Sequence, residues 1–100
     1  MIRGTTPTHI FETDLSTENL KNIQIVYVQG RKIVVEKRYR DCTLDGKKIT
    51  IRLSQEETLL FDSSQSVEVQ LRVLTNGGDA LASRIMRVHC RECLSDEVLV

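Results

Sequence analysis

No tryptophan occurs in this chain, and its aromatic residues number four. Sugar sites and single-strand nucleic-acid sites stack their ligands on aromatic rings, so both lack an evident platform here. Charge of one sign is missing as well: 14 Lys+Arg stand against 14 Asp+Glu. Nucleic-acid binders neutralise phosphates with a basic surplus, so no nucleic-acid partner is expected. The one basic run, "EKRYR" at residues 36–40, reads as a solvated strand end. No apolar run approaches the ~18 residues of a bilayer-spanning helix, so no membrane partner is expected either. The opening "MIRGTTPTHIF" has one arginine and no apolar core of a secretory signal, which points to a cytoplasm rather than export. Three cysteines are an odd and small number for a disulfide framework. The single proline, Pro7, sits near the start of the first apolar segment and suits a sheet edge, because proline cannot donate to a central ladder.

What is present is a period of two. In "KITIRL", Ile49, Ile51 and Leu53 share one face, and Lys48, Thr50 and Arg52 the other. In "VEVQLRV", Val67, Val69, Leu71 and Val73 oppose Glu68, Gln70 and Arg72. Successive side chains of a strand point to opposite faces, so such alternation marks half-buried strands. Turn signals separate them: Gly30 after "IQIVYV", Asp45-Gly46 before "KKITIRL", and Asn76-Gly77-Gly78 after "VQLRVL". Strands are expected near residues 6–12, 22–29, 32–38, 40–44, 48–53, 66–74 and 80–91. The last of these slips phase around Arg84: Met86, Val88 and Cys90 share one parity, Leu81 and Ile85 the other. A bulge there, or a change of sheet, would reconcile the halves.

Two segments depart from the pattern. "DLSTENLKN", residues 14–22, is polar and fits one helical turn or an open loop. "LSQEETLLF" carries a capping box, Ser54 and Glu57, ahead of Leu59, Leu60 and Phe61. It predicts a short helical turn near residues 55–60, with Leu60 or Phe61 plugging the core. The whole, residues 1–100, is expected to be one all-β domain: a single β-sandwich of about seven strands, immunoglobulin-like or a variant. The Gly30 turn should pair its two flanking strands in one sheet, whereas strict immunoglobulin topology puts the second and third strands in opposite sheets. Residues 94–100 are expected to form a loose C-terminal tail.

Chemistry is concentrated in "VHCREC", residues 88–93. Zinc requires four converging ligands, and Cys-x-x-Cys supplies two best from a tight turn. Cys90 and Cys93 differ in parity along a strand, as do His89 and Cys90, and only a turn at Arg91-Glu92 would bring the thiols together. Cys42 could be a further ligand, but nothing local places it there. Thioredoxin-like redox chemistry needs a helix N-terminus, and none follows Cys93. Cys42 and Cys90 therefore read as small apolar core residues. His9 and His89 are the only histidines, and each is expected half-exposed with nothing to orient it. Glu56, Glu57 and Asp62 are accounted for by the helical turn. No catalytic, cofactor-binding or metal residue is assigned, no cofactor is expected, and an enzyme is the least supported class.

Three stretches carry a resemblance: "RGTTPTHIF", "ITIRLSQEETLLF" and "VEVQLRVLTNGGDALAS". Together they resemble small proteins encoded among the structural genes of prophages and tailed phages of Gram-positive bacteria. The likeness covers most of the chain and contains no catalytic or ligand-binding signature. It implies a non-enzymatic virion or assembly protein in or near the tail or baseplate. Its partners would be other phage structural proteins or copies of itself. Its location would be the bacterial cytoplasm during assembly and the virion afterwards. Two alternatives stay open: an immunoglobulin-like domain binding carbohydrate or peptide, and a small metal or thiol protein using Cys90 and Cys93.

Overall fold

The alternation places the core. In strand β5 (Lys48–Arg52), Ile49 and Ile51 are fully buried while Lys48 and Arg52 are exposed. The same parity buries Ile23, Ile25, Tyr27 and Gln29 in β2 (Leu20–Gln29), and Val67, Val69 and Leu71 in β6 (Val67–Thr75). The computed structural model describes residues 1–100. The remaining strands are β1 (Thr8–Glu12), β3 (Lys32–Arg38), β4 (Thr43–Asp45), β7 (Ala80–Ala82) and β8 (Met86–Val88). A short helix, α1 (Gln55–Leu59), crosses between β5 and β6.

The fold is all-β, with two antiparallel sheets. One has the order β1-β5-β4; the other has the order β3-β2-β6-β7, with β8 also on β6. Leu53 and Phe61, beyond the ends of β5 and α1, join the buried residues of both sheets in one apolar cluster. Strands β2 and β3 pair with each other in the same sheet, as the Gly30 turn requires, which departs from strict immunoglobulin topology. No helix is long and apolar enough to cross a membrane.

Three expectations need correction. Seven strands become eight, because the segment expected as one strand over 80–91 is interrupted. Its β7 pairs Ala82 with Arg72, and its β8 pairs Met86 with Val69. Four steps on one strand therefore match three on the other, which is a bulge and not a change of sheet. Ser83 makes it: its N–H donates to the Leu71 carbonyl at 2.8 Å, and its hydroxyl accepts from the Leu71 N–H at 3.0 Å. Regular pairing then ends at Val88, short of residue 91. The strand expected at 40–44 begins instead as a 3₁₀ turn over Tyr39–Asp41. There the Asp41 carboxylate accepts from the Arg38 N–H at 2.8 Å, a local bond that competes with the ladder. The polar segment before β2 holds another 3₁₀ turn, Thr17–Asn19.

The capping box forms as read. Ser54 Oγ accepts from the Glu57 N–H at 3.1 Å, and Glu57 Oε1 accepts from the Ser54 N–H at 2.8 Å. Phe61 is the plug, 2% exposed, whereas Leu60 is 64% exposed. Residues 94–100 have no helix or strand, yet they are tied down. Gln55 exchanges bonds of 2.9 and 2.8 Å with the Leu99 backbone, and Arg3 reaches Asp96 at 3.1 Å.

The β2–β3 hairpin closes through Gly30 and Arg31, at φ 55° and 65°. Positive φ at both central residues is the twist-matched hairpin turn, but only glycine adopts it without a steric cost. Arg31→Gly is therefore expected to stabilise the domain by about 0.5–1 kcal/mol, once the greater flexibility of glycine in the unfolded chain is deducted. A higher urea midpoint at unchanged slope is the expected result; a lower midpoint would mean that the Arg31 side chain contributes more than its backbone strain costs.

Candidate functional site

The thiols do not converge. Cys90 is buried in the core, and Cys42 and Cys93 are partly covered. Cys42 follows the 3₁₀ turn after β3 and points its Sγ at the Arg38 carbonyl, 3.3 Å away. Burial first, then the charge of Asp41, pushes its pKa up to about 11. Burial also raises the Cys90 thiol, against the charges of Arg3 and the N-terminal ammonium, so neither is an activated thiolate. Cys93 lies beside Gly4, and a Cβ placed there would come within 3.8 Å of its Sγ. His89 is exposed, and what it contributes is its carbonyl, which accepts from the N-terminal ammonium at 2.9 Å. No group of three or more His, Cys, Asp or Glu side chains is placed to hold a metal ion.

His9 departs from expectation. It shares the inward parity of Phe11, and its ring stacks on Tyr27 with centroids 5.6 Å apart and planes at 29°. Its Nδ1 lies 2.5 Å from the Tyr27 hydroxyl. Burial, with the charges of Glu57 and Cys42 adding, pushes the phenol well above its ordinary value. Burial and the N-terminal ammonium push the imidazole down. At neutral pH, then, the Tyr27 O–H donates to the Nδ1 of a neutral ring whose proton is on Nε2. Neither partner changes state near pH 7. What the pair does is tie β1 in one sheet to β2 in the other.

A neutral, half-buried histidine makes stability depend on pH. The unfolded chain takes up a proton at His9 near the ordinary value of 6.5, the folded chain only at a lower pH. Stability from this site is thus complete above 6.5 and is lost as pH falls through the lowered value. Glu57 acts in a separate, more acid window. Burial tends to raise its carboxyl, but Lys37 and Ser54 together outweigh burial and leave it below 4.5. Its contribution is present above 4.5 and is lost as pH falls further. His9→Gln is expected to flatten the urea midpoint against pH just below 6.5 while leaving the more acid decline in place. An unchanged slope just below 6.5 would show that His9 is as free to protonate in the folded chain as in the unfolded one.

A buried polar group also went unread in the sequence. Gln29 closes β2 on its inward parity, only 7% exposed. Its Oε1 accepts from the Asp62 N–H at 2.8 Å, and its Nε2 donates to the carbonyls of Asp62 and Gln65 at 2.7 and 3.1 Å. It pins the loop after α1 under the sheet end. Lys37 of β3 meets Glu57 of α1 at 2.9 Å and pins the helix itself.

The features open to a partner are strand edges and the grooves between them. The small sheet ends in β1 and β4, the large one in β3 and the β7–β8 pair. Along the flank where β1 overlies the large sheet, a groove of about 280 Å³ is lined by His9, Phe11, Val69, Met86 and Val88. Further along, a second of about 260 Å³ runs past Leu15, Leu71, Val73 and Leu81. Half-covered core side chains thus show through the open flank. On the outer face of the large sheet, Val26, Val28 and Ile85 line a smaller hollow of about 210 Å³.

Comparison with known proteins finds no family model that matches the chain and no curated protein similar to it.

Proposed function

We propose that the chain is a non-enzymatic structural or assembly protein of a phage or prophage, a protein-interaction module in or near the tail or baseplate. The observation that carries it is the open flank: a free strand edge, β1, running beside grooves lined by half-covered core residues. Free edges are blunted or used, and apolar side chains at the rim favour use. Balanced charge lets copies or partners pack closely without repulsion. The phage assignment rests on the three-part sequence resemblance. The two sheets are read as the layers of one β-sandwich, a variant of the immunoglobulin-like arrangement in which the second and third strands share a sheet. In this proposal the chain works in the bacterial cytoplasm during assembly and afterwards in the particle.

The test is the composition of particles. Particles induced from a host that carries the gene, purified by density and examined by mass spectrometry, should contain the chain alongside tail proteins, and its gene should neighbour portal, capsid or tail genes. A gene set among metabolic genes, with the chain missing from both particles and assembly intermediates, would overturn the proposal.

A further inference from the structure

The free edge of β1 is complementary to itself. The Thr13 N–H donates to the Lys47 carbonyl at 2.9 Å, and the Leu53 N–H to the Pro7 carbonyl at 3.0 Å. Odd-numbered residues on this side therefore aim their backbone groups at β5. In an antiparallel ladder such bonds alternate, so Thr8, Ile10 and Glu12 aim theirs outward, to the unpaired edge. A twofold axis at Ile10 would set Thr8 opposite Glu12, Ile10 opposite Ile10, and Glu12 opposite Thr8 of the second copy. Every residue so paired carries outward-facing groups, and no other antiparallel register overlaps the whole strand.

Side chains agree with that register. Ile10 stands on the outer face of the small sheet opposite Thr50 of β5, still 58% exposed, and would be covered by its twin. On the inner face, His9 would adjoin Phe11 of the second copy, so the two apolar grooves would run together across the axis. Charges alternate too. Within one chain Glu12 lies beside Lys48, and Thr8 beside Arg52. Across the axis Glu12 would gain a Thr8 flanked by that Arg52, with no like charges directly opposed.

We infer that β1 is the site of homodimerisation, joining two small sheets edge to edge into one continuous sheet with Ile10 facing Ile10. The inference names the partner of the interaction surface proposed above and rests on that surface being used, but not on the phage assignment. Particle composition tests that assignment separately, so either can fail alone.

The experiment uses the full chain. Sedimentation equilibrium from about 1 µM to about 1 mM should show a reversible monomer–dimer equilibrium. Hydrogen exchange on the same samples should show the Thr8, Ile10 and Glu12 amides gaining protection as concentration rises. Ile10→Lys and Ile10→Glu each set like charges against each other at the axis; the exposure of Ile10 leaves the core untouched. Each variant alone should be monomeric over the whole range, and an equimolar mixture should regain dimer, because residue 10 then faces its opposite charge. A wild-type chain that stays monomeric overturns the inference and leaves the edge to a strand of another protein. A dimer that persists in either variant, or a mixture that stays monomeric, overturns the register. Concentration-independent exchange at the three amides does the same should the variants fail to fold.

Discussion

Phe61→Ala is expected to lower the unfolding free energy by about 3–5 kcal/mol, while Leu60→Ala beside it should cost less than about 0.5 kcal/mol. The two residues directly follow the same short helix and are both large and apolar, yet one is buried and the other exposed. Phe61 is 2% exposed, and its ring centroid lies 6.0 Å from that of Tyr27 at a tilt of 59°. Removing it would open a void beside Tyr27, the residue that also holds His9. The surrounding strands are locked by ladders on both sides and cannot collapse to fill it. Stabilities of small domains are about 5–15 kcal/mol, so this single truncation removes a large share. Leu60 is 64% exposed and forfeits little. Urea denaturation of both variants separates the cases; similar losses would mean that the segment is rotated so that Leu60 and Phe61 share the burial.

Capping fixed that rotation in advance, but only in part. Ser54 and Glu57 identify where the helix starts, and the start determines which later residues turn inward. Leu60 and Phe61 are neighbours near the end of a helix of five residues, where one residue of uncertainty swaps their roles. The strands were legible for a simpler reason. Parity is a local property, and Ile23, Ile25, Tyr27, Ile49, Ile51, Val67, Val69 and Leu71 all obey it. Gln29 and His9 obey it too, and that was the available signal: a polar residue on an inward parity needs a partner inside. The partners, the Asp62 and Gln65 backbone and the Tyr27 hydroxyl, come from distant segments, and no local pattern names them.

Edges were harder still. Pro7 hinted at β1, but edge status depends on which strands fail to find a second neighbour. Here β1 pairs with β5 over the whole of the intervening β2, β3 and β4, a long-range choice that alternation does not encode. The bulge at Ser83 shows the opposite situation. The phase slip between Leu81 and Met86 is visible in the sequence, and the structure resolves it by inserting one residue, leaving Leu81 and Ile85 exposed and Met86 and Val88 half-buried. In the "VHCREC" segment, neither parity nor burial draws His89, Cys90 and Cys93 together, so the spacing that suggests ligands there does not become a ligand set.

Leu71→Ala is expected to cost about 2–5 kcal/mol, toward the lower end of that range, whereas Arg72→Ala should cost under about 1 kcal/mol. Leu71 lies in the middle of β6, opposite Ile25 of β2, on the buried face. Arg72 is the next residue and points outward, exposed. The backbone bonds that Leu71 makes with Ser83 do not depend on its side chain, so the bulge should survive the substitution. What is lost is packing, and the amount lost depends on what surrounds the site. Leu71 is 7% exposed and lines the groove on the open flank, so water and neighbouring side chains can enter part of the vacated space. Ile25 is fully buried in the apolar cluster and has no such relief. Ile25→Ala should therefore cost more than Leu71→Ala, although the two residues face each other across one ladder. Urea melts of the three variants should rank Ile25→Ala, Leu71→Ala and Arg72→Ala in falling order of loss. Equal losses for Leu71→Ala and Arg72→Ala would reverse the facing of β6, and equal losses for Ile25→Ala and Leu71→Ala would mean that the flank is closed in solution, as a second copy seated on β1 would close it.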